Sequence, residues 1–382
     1  MVHSTRLRIL VLFILSVLFF PFRGKATRVK KDTKRVGIIY LTGNVGDMVF
    51  CTPVFRALKN AKPESEMYVI GRKRNADTLR YNPDVHTYIE CPQTVRALFK
   101  HVRSLKLDYA YLLNPSVLEL AIFYLAGVPA IATFSAPVAS AETKTYKILK
   151  HLCLQIPFTA GANFATENLR RLSPLGIVST DVRKHLFFSE EANVAIQEFL
   201  KENHVTPQVD FIIALAPGAG TKEKQWPADR FARLADYLYA KYGKPIFIVG
   251  GPGDTEEFKQ MSLALSRKTQ IVSCLHHSID ELKAFMSHID LIVANDSAPI
   301  YIAEAFDKAT VTIVGPTDES EHPPTGPKHR LAKSTGRGAP VLAAWSLQGY
   351  SDVHDDALAQ IARVTYEDVQ GVVDELIVSL TE

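Results

Sequence analysis

The chain has 382 residues, 47% of them hydrophobic, enough to bury two ordinary cores. Its formal charge of +4 hides an asymmetry: residues 1–35 hold nine Lys/Arg and one Asp, so that segment carries +8 and the remainder −4. A net negative body argues against a general nucleic-acid binder, and four scattered cysteines without a C-x-x-C pair or a histidine at ligand spacing argue against a disulfide framework or a zinc site.

The first feature in chain order is 9–20, ILVLFILSVLFF, apolar apart from Ser16. As a helix it would span ~18 Å, against a hydrocarbon core of about 30 Å, so it is short for a spanning segment. Arg6 and Arg8 precede it, and Arg23, Lys25, Arg28, Lys30 and Lys31 follow. The basic run F-R-G-K-A-T-R-V-K-K is a poor signal-peptidase site. Basic residues on both sides suit a segment that dips into, or lies on, an anionic cytoplasmic leaflet. Residues 1–34 are therefore expected to associate with a membrane, to stand outside any βα unit and to be dispensable for folding.

Residues 35–185 read as one parallel-sheet domain. Strands are expected at 36–41, 67–71, 85–91, 109–113 (running into Asn114-Pro115) and 130–134. Helices are expected at 48–60, 95–105 and 117–126, and 168–175 ends a helix before Gly176. T-G-N-V-G-D at 42–47 is a Gly-rich turn, Arg72, Lys73 and Arg74 cluster on a loop, and 135–165 has no clear assignment. Residues 186–208 read as a linker of polar helix and loop, ending in Thr206-Pro207, at the domain junction. The βα pattern restarts in a second domain, 209–335. It begins with a strand at 211–216, the loop P-G-A-G-T-K-E-K-Q-W-P, and a helix at 228–242 stopped by Gly243. A strand at 245–249 then leads through G-G-P-G-D into a helix from Thr255, followed by a strand at 270–273 and a helix at 279–288. The stretch 291–318 reads strand, turn, helix, strand. The tail, 336–382, is a loop rich in Gly, Ala and Ser followed by a helix at 366–380.

Within 291–318, Leu291-Ile292-Val293 is a run suited to a strand buried on both faces. Asn295-Asp296-Ser297 then favours a turn and helix N-cap, and Pro299 suits a first helical turn. A helix N-terminus just past the carboxyl end of a parallel strand is a ready anion site, and a nucleotide diphosphate is the ligand expected there. Asp47, at the end of the turn after the first strand, has two readings: a cap for the following helix, or a carboxylate that accepts a proton from a hydroxyl. Lys222 and Lys224 lie beside Gly218 and Gly220, either as phosphate-neutralising ammonium groups near a close backbone approach or as a solvated surface pair. Asp254, closing G-G-P-G-D, is placed to bond ribose hydroxyls. G-x-x-G-D is not the G-x-G-x-x-G fingerprint, and there is no Walker A or H-E-x-x-H motif. His354-Asp355-Asp356 is the nearest approach to a metal cluster and reads as an exposed loop, so no metal or cofactor is expected.

Five blocks in order carry a family resemblance: G-N-V-G-D-M-V-F-C-T-P-V-F-R-A-L-K, P-G-A-G-T-K-E-K-Q-W-P-A-D-R-F-A-R-L-A, V-G-G-P-G-D, N-D-S-A-P-I-Y-I-A-E-A-F and V-G-P-T-D. Over roughly 35–330 the chain resembles glycosyltransferase family 9, the heptosyltransferases of bacterial lipopolysaccharide assembly and their relatives. The resemblance implies an α/β GT-B fold, two Rossmann-like domains with parallel sheets facing across a cleft, acceptor in the first half and donor in the second. It implies inverting, metal-independent transfer from a nucleotide-sugar to a lipid-linked or lipopolysaccharide-type saccharide, at the cytoplasmic face of the inner membrane. Asp47 then matches the catalytic base, Lys224 the donor-phosphate lysine, Asp254 the ribose-holding acid, and Asp296, Ser297, Ala298 and Pro299 the diphosphate loop, with Gly218 and Gly220 beside it. Arg72, Lys73 and Arg74 would meet an anionic acceptor, or stay solvated. Two positions depart from the family: Tyr301 replaces a histidine often found there, and Ser297-Ala298 replaces Thr-Gly. A non-catalytic nucleotide-sugar or glycan-binding protein is the alternative, and an epimerase or hydrolase the third reading.

Overall fold

A computed structural model of the protein describes residues 2–41, 44–113, 116–135, 144–159, 161–322, 326–336, 338–342 and 354–381. Thr42-Gly43, Asn114-Pro115 and most of the Gly/Ala/Ser-rich loop of the tail lie outside them. The chain divides into two compact units, the first ending at Val182 and the second starting at Arg183.

The first unit holds strands β1 (Arg35–Tyr40), β2 (Glu66–Gly71), β3 (Thr87–Glu90), β4 (Tyr109–Leu112), β5 (Ile131–Phe134) and β6 (Leu154–Ile156). Its helices are α1 (Val2–Arg23), α2 (Val45–Val49), α3 (Thr52–Ala61), α4 (Lys73–Leu79), α5 (Val95–Leu105), α6 (Val117–Leu125), α7 (Lys144–Leu149) and α8 (Phe164–Arg170). The strands are all parallel, in the order β3-β2-β1-β4-β5-β6. Both faces are covered, so strand sequences read as nearly unbroken apolar runs. Val36 and Ile38 of β1 meet Val54, Phe55 and Leu58 of α3. Ile39 points the other way, into the cluster that holds Leu98 and Val102 of α5 and Leu120 of α6.

The second unit repeats the plan. Its strands are β7 (Ile213–Ala216), β8 (Ile246–Ile248), β9 (Ile271–Ser273), β10 (Leu291–Asn295), β11 (Ala309–Ile313) and β12 (His329–Ala332). Its helices are α9 (Glu190–Glu202), α10 (Ala228–Tyr242), α11 (Thr255–Ala264), α12 (Ile279–His288), α13 (Ala298–Ala305), α14 (His354–Arg363) and α15 (Tyr366–Thr381). The parallel order is β12-β11-β10-β7-β8-β9, the same winding as the first sheet. In each unit the chain reverses its direction of winding between the first and fourth strands, β1/β4 and β7/β10. Ligands of such sheets bind outside the carboxyl ends there.

Several expectations are corrected. The helix expected in the linker is α9, but it belongs to the second unit: Ala192, Ile196 and Leu200 are buried, and Ser189 Oγ donates to Asp280 at 2.8 Å, tying the helix start to α12. The helix expected at 48–60 is two, α2 and α3, separated at Phe50-Cys51. Arg72 is the N-cap of α4 and Lys73-Arg74 its first turn, not a loop. His354-Asp355-Asp356 opens α14 rather than lying in a loop, and β12 is an extra strand. Residues 1–34 are not an appendage: Ile9, Leu12 and Phe13 of α1 pack into the α5/α6 side of the first core. Arg23 donates to the Val128 carbonyl, the Tyr124 hydroxyl donates to the Gly24 carbonyl, and Ala26 and Thr27 bridge to Cys153 and Ala130. Removing this segment would expose apolar surface of α6, so it is part of the fold.

Candidate active site

In the second unit, the site is built on the end of β10. Asn295 is fully buried and ties down both ends of the loop after β7. Its Nδ2 donates to the Pro217 carbonyl at 2.7 Å, and its Oδ1 accepts from the Trp226 amide at 3.0 Å. Trp226 is itself fixed by its indole N–H, which donates to the Val364 carbonyl at 2.7 Å. The loop therefore has a rigid base, and the turn Lys222–Lys224 between these anchors presents its side chains from a fixed position.

Lys224 reaches back to Asp296, Nζ to Oδ2 at 2.9 Å, while the Tyr301 hydroxyl donates to Oδ1 of the same carboxylate. Burial alone would raise the Asp296 carboxyl. The Lys224 ammonium, His322 and the Tyr301 hydrogen bond outweigh it and hold the group well below the usual carboxylate range. Asp296 is thus a fixed negative charge at neutral pH that orients Lys224. Lys222, two residues away, is exposed, while its neighbour Glu223 accepts from His354 of α14 at 2.6 Å. Ser297 is the N-cap of α13, but its hydroxyl turns back to the Asn295 carbonyl at 3.2 Å and makes no capping bond. With Pro299 in the first turn, the α13 N-terminus keeps backbone N–H groups without a side-chain cap beside an ammonium group.

Gly218 and Gly250 flank Asp254. A Cβ at Gly218 would run into the Asp254 carboxyl, and one at Gly250 would stand 2.7 Å from its Oδ2. Here the absence of a side chain is required by close approach. Gly220 has open space around it and carries no such requirement. Asp254 Oδ2 accepts from the Gly251 amide at 2.7 Å, and burial raises its carboxyl above the ordinary value. The structure brings Lys224, Asp296, Ser297, Ala298 and Pro299 together at the end of β10, and sets Asp254, in the loop after the neighbouring β8, against Gly218.

In the first unit, Asp47 is the third residue of α2. Its Oδ2 accepts from the Asn44 amide at 2.8 Å, closing a capping box, and its carboxylate also bonds the Tyr40 hydroxyl at the end of β1. The capping role expected for this residue is present, from inside the helix rather than at its N-cap. A carboxylate has about four acceptor sites, so these two bonds leave capacity for a third donor. Arg72, Lys73 and Arg74 are all exposed, but Arg72 Nε donates to the Leu41 carbonyl at 2.9 Å, a structural bond. Cys51, Cys153 and Cys274 are buried free thiols and Cys91 is half-buried. Sequence reading took Asn295 only as a turn residue and singled out neither Tyr40 nor His322, because each acts on partners that the fold, not the local sequence, brings near.

Residues 178–343 match the family described as Glycosyltransferase family 9 (heptosyltransferase). A lipopolysaccharide heptosyltransferase 3 of Escherichia coli is 22% identical over 284 residues, spanning 72% of this chain and 81% of its own length. A solved glycosyl transferase family 9 structure from Veillonella parvula superposes with a TM-score of 0.72 at 19% identity, covering 93% of this chain and 99% of that one. An E. coli heptosyltransferase solved with ADP-2-deoxy-2-fluoro heptose superposes with a TM-score of 0.64 at 13% identity, covering 89% and 99%. Two parallel sheets of identical winding, together with these matches, define a glycosyltransferase of the GT-B fold. Over residues 178–343 it resembles glycosyltransferase family 9, and most of the chain is similar to lipopolysaccharide heptosyltransferases.

Proposed function

We propose that the protein transfers a sugar, heptose or a related pyranose, from a nucleoside-diphosphate sugar to a lipid-linked or lipopolysaccharide-type saccharide, with inversion and without a metal ion. The observation that carries the reading is the Lys224–Asp296–Tyr301 cluster beside the N-terminus of α13, which has no side-chain capping bond. In the reaction the bond from the anomeric carbon to the diphosphate breaks as the acceptor oxygen bonds the opposite face. Asp47 takes the acceptor hydroxyl proton, and the departing nucleoside diphosphate keeps the electron pair. Lys224 and the α13 amides stabilise the charge growing on the diphosphate, preorganised positive charge of the kind that lowers such barriers most. Asp254 accepts from a ribose hydroxyl, and Arg72, Lys73 and Arg74 offer charge to an anionic acceptor. The test is acceptor-dependent release of nucleoside diphosphate across a panel of nucleotide sugars, ADP-heptose included. Thermal stabilisation by a nucleotide sugar without any release would instead identify a binding protein.

The acceptor class calls for a lipid surface, and α1 offers one. Its outward side exposes Leu18 at 60%, Phe19 at 52% and Phe22 at 88%, while the opposite side is seated on the fold. No described helix is long and apolar enough to cross a membrane. An in-plane helix flanked by Arg and Lys fits an anionic leaflet, which in this reading is the cytoplasmic face of the inner membrane. The full chain should sediment with vesicles containing anionic lipid. A Leu18→Gln/Phe19→Gln/Phe22→Gln variant should stay in solution with an unchanged melting curve. Wild-type protein that ignores such vesicles, or that buries α1 by self-association, would contradict it.

A further inference from the structure

Glu119 is the third residue of α6 and only 2% exposed. Its carboxyl accepts from the Ser116 hydroxyl and amide, as a capping glutamate does, but also from the amide of Leu41 at the exit of β1. Its second oxygen, Oε2, is buried with no partner among the described residues. The carbonyl of the same Leu41 accepts from Arg72 Nε at 2.9 Å, and Arg72 is steadied by the Tyr88 hydroxyl, which donates to its carbonyl at 2.5 Å. One residue is therefore gripped from both sides, by side chains following β2 and β4, the strands that flank β1. The grip lies between Tyr40, which bonds the Asp47 carboxylate, and Asn44, whose amide does the same.

We propose that Glu119 is a positioning residue for glycosyl transfer: with Arg72 it fixes the Leu41 peptide, adjacent to the Tyr40 whose hydroxyl bonds the Asp47 carboxylate, and so holds Asp47 in place. This rests on the reading of Asp47 as the base. Glu119 performs the task as the neutral acid. Burial, opposed only by its hydrogen bonds, pushes the carboxyl up to about 8. The described titratable groups in its field are the Cys91 thiol after β3 and the Tyr146 hydroxyl on α7, both raised by burial first and both uncharged at neutral pH. No described cation offsets a charge on Glu119. Because the folded value lies above the unfolded one of about 4.3, the stability this group contributes is complete below that value and is lost as pH rises towards 8. Ionisation would leave a buried negative charge that the Ser116 and Leu41 donors only partly offset, destabilising the packing around α6.

Glu119→Gln keeps a carbonyl oxygen for the Leu41 amide and cannot ionise. It should transfer sugar at close to the wild-type rate at pH 7. An alkaline fall in kcat/KM between about pH 7 and 9 is expected of the wild type and should be absent from this variant. Melting temperatures of wild type and Glu119→Gln should diverge as pH rises from 5 to 8, a readout that needs no activity. Glu119→Ala should lose at least about tenfold in rate with donor affinity, a property of the second unit, unchanged. Superimposed pH profiles for wild type and Glu119→Gln, or a Glu119→Ala protein at the wild-type rate, would overturn the proposal. A failure of the Asp47 reading is separable: it appears as full activity in Asp47→Asn, whatever the Glu119 profiles show.

Discussion

Asp47→Asn is expected to fold normally, bind donor normally and transfer sugar about 10²–10⁴-fold more slowly, the usual worth of a general base. The structure makes this substitution a clean separator of two roles. Asp47 closes the capping box on Asn44 and accepts from Tyr40, and an Asn amide oxygen in its place can take both donors. The loss of charge in the first turn of a short helix costs about 0.3–1 kcal/mol. Asparagine cannot take up a proton at neutral pH, so only the chemical role is removed. Single-turnover transfer beside a melting curve reads the two apart. A variant that melts normally and transfers at the wild-type rate would leave Asp47 as a cap alone.

The second large effect belongs to Lys224. Lys224→Ala should weaken donor binding tenfold to a hundredfold, on the order of 1.5–3 kcal/mol for a lost charge-assisted contact. Lys222→Ala should change it little, because Lys222 is exposed while Lys224 is held by Asp296 beside the α13 N-terminus. Removing Lys224 also leaves a largely buried carboxylate with Tyr301 and His322 as its supports, so the variant should melt lower. Calorimetric titration well below the melting range separates affinity from stability. Equal affinity in the wild type and Lys224→Ala would remove the lysine from the donor site.

Much of this was legible because parallel strands buried on both faces write themselves as apolar runs. Leu291 to Val293 is such a run, and the turn residues after it mark where α13 begins. The misreadings have physical causes. β12, HRLA, is an edge strand with polar side chains, and α14 carries only a thin apolar stripe, Ala357 and Ile361, on a polar helix. α9 was legible as a polar helix but was placed in a linker, although Ala192, Ile196 and Leu200 recur every four residues and form a buried stripe. The site was legible where a residue acts locally, as Ser297 and Pro299 do at a helix start. It was not legible where a residue acts across the chain. Asn295 reads as a turn residue, yet its amide organises a loop that precedes it by a whole βαβα stretch. Glu119 reads as an ordinary capping glutamate until Leu41 is seen above it.

The measurement that bears most directly on the claim of inverting, metal-independent transfer is the anomeric configuration of the product. Purified protein, a nucleotide sugar that it binds, a matched saccharide acceptor and excess EDTA would be combined, and the new glycosidic linkage read by NMR. The structure-based account predicts transfer undiminished by EDTA, with configuration opposite to that of the donor. A product that retains the donor configuration, or transfer abolished by EDTA and restored by a divalent cation, would contradict it.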